Sequence, residues 1–193
     1  MTTSRSPVTA ATPPVGREVL IRRPALADAA GIHRLVVAAE ALDVNSLYLY
    51  LLLCRDFSAT CRVAEAAGEL IGFASAYRPP SQPELLFIWQ IAVASTHRRQ
   101  GLAMRMLLDL LAATGDSPLP TLATTITDSN AASRRLFESL ARRLRCELRT
   151  GRGFESNLFG TTGHEAERMF YLGPLKAGFQ VTTGKEPAHG NGF

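Results

Sequence analysis

The stretch that most constrains this chain runs from Leu85 to Ala103. Its first nine residues, Leu85-Leu86-Phe87-Ile88-Trp89-Gln90-Ile91-Ala92-Val93, hold one polar side chain among eight apolar ones. That is the pattern of a central strand buried on both faces. Ala94 to His97 follow, then Arg98-Arg99-Gln100-Gly101-Leu102-Ala103. A helix then runs from Leu102 to Ala113, with Leu102, Met106, Leu110 and Ala113 on one stripe. The first N–H groups of a helix have no intrahelical partner, so a basic loop that opens a helix can hold phosphate. Gly101 lets the backbone approach a ligand without a Cβ, and Arg98 and Arg99 add charge-assisted donors. The same residues would also suit a plain strand–helix connection with surface arginines.

Strands and helices alternate around this stretch. Val19 to Arg23 reads as a strand and Ala25 to Ala39 as a helix, with Ile32, Leu35, Val36 and Ala39 on one face. Ser46 to Arg55 reads as a second helix capped by Asn45 or Asp43. Thr60 to Glu65 and Leu70 to Tyr77 read as strands joined through Gly68. Leu122 to Thr127 is a Thr-rich strand. Ser129 to Leu140 is a helix capped by Ser129 or Asp128, and Met169 to Leu172 is a last short strand. Hairpins mixed with strand–helix–strand crossovers predict an α/β fold around a sheet of mixed direction. One domain is expected over residues 18–175, with flexible tails at 1–17 and 176–193 that are rich in small residues, Pro and Gly.

Composition narrows the function. Among 193 residues, 21 Lys and Arg against 17 Asp and Glu give a net charge of +4. That excess suits an anionic ligand but is too small to demand nucleic acid. The paired arginines Arg98-Arg99, Arg134-Arg135 and Arg142-Arg143 come without interleaved aromatics, so no nucleic-acid partner is expected. The longest apolar run, Leu47 to Cys54, is too short to cross a bilayer. No membrane partner is expected, and the first sixteen residues hold no apolar block of the secretory type. Three cysteines, Cys54, Cys61 and Cys146, fit a reducing cytoplasm better than a disulfide framework. His164-Glu165 resembles the start of a zinc HExxH motif, but Arg168 stands where the second His would be, so no metal is expected. No G-x-S-x-G elbow or P-loop occurs.

Arg98-x-x-Gly101-x-Ala103 after its strand resembles the coenzyme A loop of the GNAT superfamily of N-acetyltransferases. Thr124 to Ser133, followed by Leu136-Phe137, is similar to the next segment of that superfamily. The resemblance implies a mostly antiparallel sheet flanked by helices and splayed at an acetyl-CoA cleft. It implies that acetyl-CoA is a cosubstrate held by Ile91, Ala92, Val93, Arg98, Arg99, Gln100, Gly101, Leu102, Ala103, Asn130 and Ser133. The bland alternative is helix capping for Asn130 and core packing for Phe137. Many members carry at the position of Phe137 a Tyr that protonates the sulfur. Phe137 leaves that role unfilled, or passes it to water or to a hydroxyl such as that of Tyr171.

Leu42 to Tyr48, Phe87 to Val93, Leu158-Phe159-Gly160 and Gly163 to Glu167 are further similar to the branch of this superfamily that acetylates the γ-amino group of L-2,4-diaminobutyrate on the route to ectoine. That likeness implies a homodimer and a pocket formed by Asp43, Trp89, His164 and Glu167. An alkyl ammonium has a pKa near 10.4, so roughly one in 10³ is neutral at pH 7 and a base must remove a proton. Asp43, His164 and Glu167 are the candidates for that work, Asp43, Glu165 and Glu167 for holding ammonium groups, and Trp89 for stacking on one. Against these stand helix capping for Asp43, core packing for Trp89 and a solvated loop for residues 163–167. Other amines or a protein N-terminus remain open as acceptors, as does a CoA binder without activity.

Overall fold

The computed structural model describes residues 18–39, 42, 44–113 and 121–175. The expectations for residues 1–17, 176–193 and Asp43 lie outside the described residues. The elements are β1 (Leu20–Arg22), α1 (Ala29–Val37), α2 (Leu47–Asp56), β2 (Cys61–Ala66), β3 (Glu69–Tyr77), β4 (Leu85–Val93), α3 (Leu102–Ala112), β5 (Thr121–Thr127), α4 (Ala131–Leu144), β6 (Leu148–Phe154) and β7 (Glu167–Leu172).

The strands form one sheet in the order β1-β2-β3-β4-β5-β7-β6. Every neighbouring pair is antiparallel except β4 with β5. Helices cover both faces because the strands alternate their side chains. Val63 and Phe73 pack with Ile32, Val36, Tyr50 and Leu53 of α1 and α2. Their neighbours Ala64 and Ala74 pack with Leu102 and Met106 of α3. The larger cluster joins Leu107 and Leu111 of α3 with Phe137, Leu140 and Leu144 of α4, over Leu86, Leu122 and Leu172.

β4 begins and ends where its apolar run predicts, but it is not buried on both faces. Trp89 is 41% exposed. The parallel ladder with β5 stops after Phe87↔Ala123, so the two strands part and leave the later residues of β4 beside open space. The helix expected over Ala25–Ala39 opens instead as a tight turn at Leu26–Asp28 and becomes α1 at Ala29. There the Asp28 carboxylate accepts the Ala25 N–H at 2.6 Å. α2 is preceded by Ser46, whose side chain makes no capping bond. α4 starts two residues later than expected: Asn130, not Ser129 or Asp128, caps it, and Asn130 Oδ1 accepts the Ser133 N–H at 3.0 Å. β6, Leu-Arg-Thr-Gly-Arg-Gly-Phe, was not expected. Two glycines and two arginines hide it, and it sits at the sheet edge, where nothing demands an apolar face.

Candidate active site

The β4–β5 splay opens a cleft, and β4 is shaped to use it. Ser75 pairs with Gln90 and Ala76 with Ile88, so Trp89 is an extra residue in the ladder, a β-bulge. The bulge also shifts the phase of β4. Leu86 and Ile88 pack toward α3 and α4, and beyond the bulge Ile91 takes that side. Two hydroxyls secure the distortion. Ser75 Oγ accepts the Gln90 N–H at 3.2 Å, and Thr60 Oγ1 donates to the Ala76 carbonyl at 2.6 Å. On the other side of Gln90, Tyr50 from α2 donates to its Oε1 at 3.3 Å. Trp89 therefore leaves the core and stands edge-on to Tyr77 at 6.5 Å.

Past the bulge, the Ala94 N–H donates to Ile71 O at 2.9 Å, toward β3. Peptide groups alternate sides along a strand, so the N–H groups of Ile91 and Val93 face the splay. The Val93 carbonyl, on that same side, accepts Arg98 Nε at 3.2 Å. Two N–H groups aimed into a cleft can hold a developing oxyanion or the amides of a ligand arm.

Two cavities share this cleft. The one beside the loop has a volume of about 510 Å³ and is lined by Ile91, Ala92, Val93, Arg98, Arg99, Gly101, Leu102, Ala103, Asn130 and Ser133. All but one of the residues expected to hold the cosubstrate are there. Gln100 is the exception: its amide donates to Thr96 O at 3.2 Å and shapes the loop from outside. Arg98 also braces the loop, reaching Ala39 O at 3.5 Å, which leaves guanidinium donors for an anion. Gly101 has φ 73°, and no atom lies within 4 Å of where a Cβ would stand. Glycine is needed there for left-handed backbone, with open room in front of it. Arg135, at the start of the second turn of α4, joins the lining. The sequence named Arg134-Arg135 only as a pair without interleaved aromatics, and gave Arg135 no part in holding the cosubstrate.

The second cavity, about 720 Å³, is lined by Trp89, His164 and Glu167 together with Tyr77, Phe154 and Phe159. His164 stacks on Phe159 with ring centroids 4.0 Å apart. Its Nδ1 lies 2.7 Å from Glu165 O. A carbonyl only accepts, so Nδ1 carries a proton and Nε2 is the nitrogen turned toward Glu167 Oε1 at 3.8 Å. Glu165 is not part of this lining: its carboxylate accepts the Ser129 N–H at 3.1 Å and ties the loop to the end of β5. Phe137, 2% exposed, does line the cavity. Tyr171, set against Gly151, lines neither cavity. Phe154 and Phe159 had no role in the sequence reading; Phe154 comes from the unforeseen edge strand, and Phe159 stood only within a resembling motif. Among the described residues no His, Cys, Asp and Glu side chains group as a metal site, and no helix is long and apolar enough to cross a membrane.

A basic, helix-opening chamber for an anionic arm meets an aromatic, acidic chamber for a small cation at Ile91, and that pairing defines an N-acetyltransferase that draws on acetyl-CoA. The chain belongs to the acetyltransferase (GNAT) family, matched over residues 26–141, and within it to the diaminobutyrate acetyltransferases. It is 43% identical over 157 residues to the L-2,4-diaminobutyric acid acetyltransferase of Streptomyces avermitilis, covering 80% of this chain and 88% of that one. It is 39% identical to that of Methylotuvimicrobium alcaliphilum, covering 82% and 92%. It is also similar, with TM-score 0.79 and 40% identity, to the diaminobutyrate acetyltransferase EctA of Paenibacillus lautus, solved in complex with its substrate L-2,4-diaminobutyric acid and coenzyme A. That likeness covers 86% of this chain and 100% of the other.

Proposed function

We propose that the chain moves the acetyl group of acetyl-CoA to the γ-amino group of L-2,4-diaminobutyrate, by direct attack of the neutral amine, in the cytoplasm and on the route to ectoine. The observation that carries this reading is the likeness, over most of the chain, to an enzyme solved with both compounds bound. The geometry agrees with it. A diamino acid brings two ammonium groups and a carboxylate. Glu167 faces the acceptor cavity and holds an ammonium; His164, beside it, relays the proton that the attacking nitrogen must lose. Trp89 and Tyr77 offer aromatic walls to a cation. Asp43 keeps the ammonium-binding and proton-accepting roles that the family likeness gives it. The Ile91 N–H, facing the splay, meets the thioester oxygen as it becomes an oxyanion.

The second half of the proposal is a homodimer. Val44, just before α2, and Leu47 and Tyr48, in its first turn, are large hydrophobic residues left exposed, as a covered surface would be. Sedimentation equilibrium at micromolar concentration is expected to give twice the chain mass of 20.9 kDa; a monomer overturns it.

Turnover with acetyl-CoA across a panel of amines tests the function. L-2,4-diaminobutyrate is expected to give the highest kcat/KM, above ornithine, lysine and N-terminal peptides, with the product acetylated at the γ-nitrogen by NMR. A peptide or polyamine that outranks it, or α-acetylation, overturns the assignment.

A further inference from the structure

The cavity for the arm and the cavity for the amine share four lining residues: Leu42, Ile91, Asn130 and Ser133. The acetyl group has to pass from one cavity to the other, so the carbon–sulfur bond that breaks lies at this seam. The seam holds few side-chain donors. Leu42 and Ile91 are hydrocarbon. Asn130 commits its oxygen to the Ser133 N–H at 3.0 Å, which turns its amide nitrogen, on the opposite branch, away from that helix turn. Phe137, one turn further along α4, lines the acceptor cavity but has no proton to give. Ser133 Oγ makes no hydrogen bond among the described residues.

We propose that Ser133 is a catalytic residue of this acetyl transfer: its hydroxyl donates a hydrogen bond to the sulfur as the thiolate leaves. The proposal rests on the use of acetyl-CoA but not on the identity of the amine. The nitrogen lone pair adds to the thioester carbon, and collapse of the tetrahedral intermediate expels sulfur with the carbon–sulfur electron pair. The nitrogen gives up one proton as the amide forms, and the thiolate gains one to leave as CoA thiol. Ser133 keeps its own proton throughout. A hydrogen-bonded anion suffices because the ordinary thiol pKa, about 8.5, makes thiolate a fair leaving group near neutrality. Ser133 also lies in the first turn of α4, where the helix dipole favours negative charge. The Asn130 cap holds that turn, and so the hydroxyl, in place.

The test has two arms. In the first, Ser133→Ala is expected to lower kcat about 10- to 100-fold, the range that a hydrogen bond to a charged group supplies, a larger factor than any rise in the KM for acetyl-CoA. Ser133→Thr, which restores a hydroxyl, is expected to recover most of the rate. In the second, CoA alone is bound and its thiol titrated by ultraviolet thiolate absorbance, which needs no amine. The bound thiol is expected to ionise below about 8.5 in the wild type and roughly one unit higher in Ser133→Ala. A role confined to helix packing would leave that titration unmoved. An unaltered kcat in a folded Ser133→Ala, or the same thiol titration in both proteins, overturns the proposal. Loss of diaminobutyrate turnover with the thiol shift intact would count against the acceptor and leave Ser133 in place.

Discussion

Single residues divide the work at the cleft, and two of them can be tested separately. Glu167 faces the acceptor cavity while Glu165, two residues earlier, is spent on the Ser129 N–H. Glu167→Gln is therefore expected to raise the KM for diaminobutyrate by about 10- to 100-fold, the worth of a charge-assisted hydrogen bond, with acetyl-CoA affinity by calorimetry unchanged. At Gly101 the backbone sits at φ 73° with open space before it. A β-branched residue there is strained by about 1–3 kcal/mol, so Gly101→Val is expected to raise the acetyl-CoA KM about tenfold or more in steady-state kinetics. A folded variant with wild-type KM would show that the loop does not hold the cosubstrate. Residue identity told these positions apart only in part. Glu165 and Glu167 are the same acid in one short segment, and only the start of β7 at Glu167 decides which of them faces the cavity.

Elements impose the next level of order, and β4 shows it best. Its eight apolar residues among nine made its ends legible, because no other placement hides so many. Its bulge was not legible, since an extra residue in a ladder depends on what lies opposite. Ser75, 1% exposed, takes up the Gln90 N–H next to that bulge. Ser75→Ala removes that buried hydrogen bond and is expected to cost about 0.5–1.5 kcal/mol in urea unfolding. Because the bulge aims Trp89, the same variant is expected to raise the KM for diaminobutyrate more than that for acetyl-CoA. The α4 cap failed to resolve for a related reason. Asp128, Ser129 and Asn130 are three consecutive good caps, and the choice falls on Asn130 only because the chain from β5 turns there, with the Asn130 N–H donating to Thr127 O at 3.1 Å. β6 stayed hidden because an edge strand needs no apolar alternation.

The whole molecule buries two thiols between helices and sheet, and their titration is expected to weaken it at alkaline pH. Burial pushes Cys61 up to about 12 and Cys54 up to about 11. Both values lie above the roughly 8.5 of an exposed thiol, so the unfolded chain releases these protons first. The stability they allow is complete below about pH 8.5 and is lost as pH rises toward the folded values. Thermal unfolding is expected to show Tm falling above about pH 8.5, and falling less steeply in Cys61→Ala compared with its own value at pH 7; equal slopes would show that the thiols do not govern the limb. The sequence by itself determined the central strand, the basic loop, the helix start behind it and the types of side chain the reaction needs, because these follow from local hydrophobic pattern and from unpaired helix N–H groups. Only the tertiary structure decided where β4 parts from β5, that Trp89 is expelled into the gap, and that Ser133 stands at the seam of two cavities. Those depend on pairing between segments distant along the chain, and no local pattern records where a ladder ends.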